Sequence, residues 1–386
     1  MKEKILYIFD QVLFSAVNFI VFIVLDYRFN VGDVSQYSIM ISATAFLLNL
    51  GFALKVESLL GTDNKIISLS DFALLSIFML MASAVIYLFL WQNYVNGILL
   101  AVSMFASSLL WIIRRICVLD SQKVKYSVMV TIVLGGVLSL CGYLLLEYES
   151  FLVVFGVANF CAVVFLCFLV VVVDKKSLTE SCVELFASPR NLSKSLLLVP
   201  LLWFPSNGIY LLLAGLGNQV AIIEVRKLLM LLSPIQQLSA ALISFIFSRG
   251  AGHKLTHLEV FFVPLTLSLV VSPLAALIYN SVLNGSAKSF ILWFGFALIA
   301  FSMIVISLLQ SMLRVLGGQV TVIFSLFIAV TVKVGVLYCF YQFGAGYVDV
   351  TDSMLAMAAG YCISAVFLYA KFITDEKLRG KLVARI

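Results

Sequence analysis

Twelve apolar runs, each long enough to cross a bilayer, take up nearly the whole chain: residues 5–26, 34–59, 70–91, 95–117, 127–146, 150–173, 195–215, 219–248, 258–280, 288–313, 319–343 and 351–372. Crossing the hydrocarbon core takes about 20 helical residues at 1.5 Å each. Lipid offers the backbone no hydrogen bonds, so only helices or a closed barrel satisfy it there. The runs are continuous, not alternating, which points to helices. The fold class expected is therefore an all-α polytopic membrane protein. With 63% hydrophobic and 11% charged residues, no aqueous fold is open to it. The longest polar connection, 174–194, divides six spans from six and shows no evident fold of its own. The organisation expected is a six-helix lobe over 1–174, a cytoplasmic linker over 175–194, and a second six-helix lobe with a short basic tail over 195–386, the lobes enclosing a central cavity.

The basic residues orient the chain. Taking alternate loops as inward collects twenty of the 25 Lys and Arg, leaving Arg28, Arg226, Lys227, Lys288 and Lys333. The positive-inside rule then puts both termini in the cytoplasm. The net charge of +6 reflects this asymmetry, which suits anionic lipid headgroups and not nucleic acid. The first span carries Asp10, Gln11 and Asn18 with no cleavage site after it, so it is expected to stay as a helix.

The second half reads as a distant copy of the first. Asn18 and Asn207 are 189 residues apart, as are Gly61 and Gly250. Six helices repeated in the same sense are parallel repeats, related by an axis along the membrane normal.

Polar groups inside the spans carry the functional signal, because burying them in lipid is costly. Gln11, Ser15 and Asn18 share a face of span 1, Ser35, Ser38, Ser42 and Asn49 a face of span 2, and Arg226, Ser233, Gln237, Ser244 and Ser248 a face of span 8. The serines read as interhelical packing; Asn18, Arg226 and Gln237 read as lining a hydrated cavity. Glu224 and Lys227 are three apart and can pair, which leaves Arg226 unneutralised. Lys333 lies near the middle of span 11. It must face the interior, meeting water, an anion, or a carboxylate such as Asp10 or Glu57. Arg114 and Arg115 read as topology determinants at the inner end of span 4.

There is no Walker motif, HExxH, GxSxG or Cys/His cluster, so no cofactor or resident metal is expected. His253 and His257 read as a solvated helix end, and the seven Cys as packing residues.

The segment DQVLFSAVNF, with Asp10, Gln11, Ser15, Asn18 and Phe19, followed by a short outer loop and Tyr37, resembles the opening of bacterial polysaccharide (O-antigen or capsule repeat-unit) flippases. Arg226, Pro234 and Gln237 are similar to that family's pattern in span 8. The family belongs to the multidrug/oligosaccharidyl-lipid/polysaccharide exporter superfamily. The resemblance implies transport of an undecaprenyl-diphosphate-linked oligosaccharide from the inner to the outer leaflet of a bacterial cytoplasmic membrane by alternating access. It implies no enzymatic chemistry, with membrane lipids, a polysaccharide polymerase and a chain-length regulator as partners. On that reading Lys333 and Arg226 attract the pyrophosphate, Asn18 and Gln237 bond sugar hydroxyls, and Asp10 couples an ion. The alternatives are an ion-coupled drug or cation exporter of the same superfamily, which would want unpaired carboxylates at depth, and a membrane polymerase or acyltransferase, which would want a large outer loop or a catalytic His.

Overall fold

The structure, a computed structural model, describes residues 2–51, 53–54, 67–118, 122–172, 177–186, 189–248, 257–281, 289–315, 319–344 and 346–374. Twelve long helices appear among them. They are α1 (Lys2–Arg28), α2 (Val31–Gly51), α3 (Leu69–Leu90), α4 (Gly97–Val118), α5 (Val124–Leu144) and α6 (Tyr148–Val170) in the first half, and α8 (Pro189–Gly215), α9 (Gln219–Ser248), α10 (His257–Ser281), α11 (Phe290–Val315), α12 (Gln319–Phe343) and α13 (Val350–Thr374) in the second. Eight helices carry, within the described residues, a stretch long and apolar enough to cross a membrane. Large apolar side chains such as Phe89 and Phe168, each 83% exposed, face outward, as they do where the solvent is lipid.

The connection between the halves differs from the expectation. Between residues 174 and 194 the chain forms a nine-residue helix, α7 (Leu178–Phe186). Ser177 and Glu180 close its first turn reciprocally: Glu180 N donates to Ser177 Oγ at 3.1 Å, and Ser177 N donates to Glu180 Oε2 at 2.9 Å. That is a capping box, and its S-x-x-E spacing was present in the sequence. Ser181 Oγ then donates to Ser70 Oγ of α3 at 3.1 Å. Beside it β1 (Ile67–Ser68) pairs in parallel with β2 (Val171–Val172), joining the start of α3 to the end of α6.

Contacts divide the chain into Met1–Trp203 and Phe204–Ile386. Within the first unit α2 and α3 pack on α4, and α4 and α5 pack on α6. Within the second, α9 and α10 pack on α11, and α11 and α12 pack on α13. These contacts among α2 to α6 are matched, seven elements on, by those among α9 to α13. The helix starts repeat too. Asn30 Oδ1 accepts from Asp33 N at 2.9 Å at the start of α2, and Asn218 Oδ1 accepts from Ala221 N at 3.0 Å at the start of α9. Gly217, with φ +70°, makes the turn before Asn218, a conformation that side chains resist.

The turn between α3 and α4 is fastened to α2 by polar pairs. Trp91 Nε1 donates to Gln36 Oε1 at 2.8 Å, and Tyr94 OH donates to Asp33 Oδ1 at 2.8 Å. Burial and the neighbouring Asp33 carboxylate hold the Tyr94 phenol above its ordinary pKa.

Candidate functional site

Lys333 sits near the middle of α12 and is 1% exposed. Its Nζ donates to the backbone carbonyls of Pro205 at 3.1 Å and Phe204 at 3.3 Å, both on α8. The Phe204 ring lies 5.8 Å from the same Nζ. Lys333 therefore faces protein and not lipid. Neither Asp10 nor any other described carboxylate pairs with it; two carbonyl dipoles hold the charge, and Glu57 lies outside the described residues. Gly360 of α13 makes room for it. A Cβ there would meet Ala329 O at 2.5 Å and Lys333 Cβ at 3.2 Å, so any other residue would push α13 off α12.

One turn further along α8, Tyr210 is wholly buried, and Arg226 of α9 lies with its Cζ 5.8 Å from the Tyr210 ring centre. Tyr210 OH and Arg226 Nε are both buried, and the Tyr210 hydroxyl lies within reach of the Arg226 guanidinium. The acid nearest in sequence is already engaged. Glu224 Oε1 accepts from Lys227 Nζ at 2.9 Å, as the three-residue spacing indicated, and its Oε2 accepts from Tyr279 OH of α10. Arg226 is therefore a cation with no carboxylate beside it among the described residues. Gln237 lies on α9, but its side chain falls outside the described residues.

The first unit holds two separate polar clusters. Asp10 of α1, 0% exposed, takes an ion pair from Arg114 Nη2 of α4 at 2.6 Å. Arg114 Nε donates to Ser127 Oγ of α5 at 3.0 Å, and Ser127 Oγ donates to Asp10 Oδ1 at 2.8 Å. The Phe14 ring covers the guanidinium, with its centroid 3.8 Å from Cζ. Three helices are thus tied by one closed triad. Arg114, read from sequence as a topology determinant, is a buried structural partner. Gln11 has its side chain outside the described residues.

Asn18 lies elsewhere on α1. Its Nδ2 donates to Phe14 O at 3.0 Å, one turn back. It lines a small cavity of about 20 Å³ together with Tyr37, Thr131 and Asn159. That is room for about one water. Asn159 of α6 makes the same back-bond, Nδ2 to Phe155 O at 2.7 Å, so each amide keeps its oxygen for other use. The α2 serines behave as packing residues: Ser38 Oγ donates to Val34 O at 2.9 Å and Ser35 Oγ to Gly32 O at 2.8 Å, each within its own helix.

Arg226 and Lys333 thus meet the same helix, α8, inside the second unit, while Asn18 and Asp10 belong to two different clusters of the first. Tyr210 and Asn159 were not singled out in the sequence. Asn159 was visible there as a lone amide inside an apolar run; Tyr210 carried no signal, because aromatic residues are common in spans. Gly61, Gly250 and His253, and the side chain of His257, lie outside the described residues.

No protein-family description matches the chain, and no curated protein resembles it in sequence. Solved structures do match its shape. It superposes on the eukaryotic MATE transporter AtDTX14 with a TM-score of 0.62 at 15% identity, covering 100% of this chain and 98% of that one. An inward-facing multidrug resistance MATE family transporter of the MOP superfamily gives 0.59 at 12% identity, over 96% of each chain. The Vibrio cholerae MATE transporter VcmN gives 0.56 at 10% identity, over 98% and 96%. The fold is the MATE fold. Its neighbours are all-α membrane transporters of two lobes, and the present chain is likewise a multi-pass membrane protein.

Proposed function

We propose that this protein is a transporter that carries an undecaprenyl-diphosphate-linked oligosaccharide across a bacterial cytoplasmic membrane by alternating access, with both termini in the cytoplasm. The observation that supports this reading most is the pair of cations inside the second unit, Lys333 and Arg226, with no carboxylate bonded to either among the described residues. A cation taken out of water needs an anion or a dense set of dipoles. A diphosphate headgroup supplies such an anion, with oxygens that a guanidinium grips in a fork. In this reading Arg226 meets the diphosphate and Lys333 backs it, Asn18 and Gln237 hydrogen-bond sugar hydroxyls, and Tyr210 steadies Arg226. The lipid tail never leaves the hydrocarbon, so only the headgroup needs a polar path.

The second reading is an ion-coupled exporter of drugs or cations, which the multidrug neighbours favour. A buried Lys333 and a half-buried Arg226 oppose it, and Asp10, the one wholly buried carboxylate of the first unit among the described residues, is already bonded to Arg114.

Binding separates the two. Undecaprenyl diphosphate at a hundredfold excess over its dissociation constant is expected to stabilise the purified protein by about 2.7 kcal/mol, read as a raised melting temperature, while ethidium leaves it unchanged. Stabilisation by ethidium and none by the diphosphate would favour the exporter.

A further inference from the structure

The nine-residue helix α7 is amphipathic, yet its apolar side is not the side it packs with. In its sequence Leu178, Cys182 and Phe186 recur at a spacing of four with Val183 beside them, while Glu180 and Glu184 recur on the other side. The contact with α3 is made instead by Ser181, which is buried. Leu178 and Val183 are left 48% and 67% exposed, and Cys182 is half-buried. The bond to α3 fixes how deep α7 sits. Ser181 Oγ donates to Ser70 Oγ, and 3.0 Å further on Ser68 Oγ caps the first turn of α3 by accepting from Asp71 N at 3.0 Å. The membrane span of α3 starts at Leu69, which is exposed, and the span of α6 ends alongside it where β2 carries the exposed Val172. α7 therefore lies within about 10 Å, one helix diameter, of the level at which two spans enter hydrocarbon.

We propose that α7 is an interfacial helix: it rests on the bilayer where α3 starts and α6 ends, with Leu178 and Val183 dipping into the boundary between headgroups and acyl chains. The partner of its exposed side is the lipid surface itself. That boundary is about 5–10 Å deep, which is the level the serine bonds set. The exposed apolar side chains of α7 continue those of Leu69 and Val172 at the ends of the two spans, so one lipid-facing surface runs from the spans onto the helix. Charge agrees with it. The sequence holds Lys175 and Lys176 just before α7 and Arg190 and Lys194 beyond it, and cations there suit anionic headgroups. On the orientation proposed above this is the cytoplasmic leaflet, and the inference holds whatever substrate is carried.

The test is photolabelling of the full chain in vesicles of phosphatidylethanolamine and phosphatidylglycerol. One probe is a phospholipid with a diazirine close to its glycerol backbone; the other is a water-soluble diazirine present on both sides of the bilayer. Cleavage after Lys176 and Arg190 releases α7 in a single peptide, 177–190. The lipid probe is expected to label Leu178 and Val183 in that peptide, and the aqueous probe to spare them. Leu178→Glu together with Val183→Glu should cut the lipid label by about tenfold. Glu180→Gln keeps the capping box and should leave the label unchanged. Should the double variant fail to insert, the two probes on the unaltered chain decide alone. Labelling of α7 by the aqueous probe and not by the lipid probe puts the helix in water, and the proposal falls. Shielding from both probes, with cross-links from 177–190 to another protein chain, gives that face to a protein partner and overturns it equally.

Discussion

Replacing Asp10 by Ala is expected to destabilise the protein by about 3–5 kcal/mol, the largest loss anticipated for any single side chain in the first unit. The reason is what remains. Arg114 stays 5% exposed under the Phe14 ring, with its charge uncompensated and its bond to Ser127 no longer closed through a carboxylate. Three helices, α1 and the consecutive pair α4 and α5 more than a hundred residues further along, lose their shared tie. Asp10→Asn should cost less, since an amide oxygen still accepts from Arg114. The double variant Asp10→Ala with Arg114→Leu should recover much of the loss, because an apolar pair of similar volume replaces a buried ion pair with little penalty. Thermal unfolding in detergent micelles measures all three. An Asp10→Ala protein that melts with the wild type would show that the triad carries no stability.

Lys333→Ala should stop headgroup delivery while the protein still inserts. The ammonium is the only charge on α12 within the described span and is bonded to the α8 backbone at two adjacent carbonyls. Its loss removes one of the two cations facing the proposed diphosphate and frees α8 from α12 at Phe204 and Pro205. Hydrogen bonds to charged groups contribute about 1.5–3 kcal/mol each, so a transport rate lower by about a hundredfold is expected. Lys333→Met keeps the volume of the stem and should be equally slow, which separates lost charge from lost packing. Transport at the wild-type rate in both variants would take Lys333 out of the mechanism.

The sequence made the spans legible because lipid admits so few solutions: a run of twenty apolar residues has to be a helix. Even so, α8 starts at Pro189 and not at 195, because its first two turns are polar and hydropathy follows lipid exposure, not helicity. Proline suits that first position, where its missing N–H is no loss. The linker helix α7 was legible in its capping box but passed as loop, because nine residues make no apolar span. The pairing of Glu224 with Lys227 could be read from spacing on one helix. The pairing of Arg114 with Asp10 could not, since the partners lie 104 residues apart on different helices and only the fold brings them together. For the same reason Lys333 could be assigned to the interior but not to its carbonyl partners.

The most direct measurement follows the headgroup itself. Purified protein is placed in sealed vesicles with undecaprenyl-diphosphate-linked oligosaccharide, and sugar accessible to an external glycosidase is read over time. The sugar is expected to become accessible or protected as it crosses in vesicles with the unaltered protein, and to stay put in protein-free vesicles and in those with Lys333→Ala. Sugar that does not cross, in vesicles where the same protein moves a hydrophobic cation, would contradict the account.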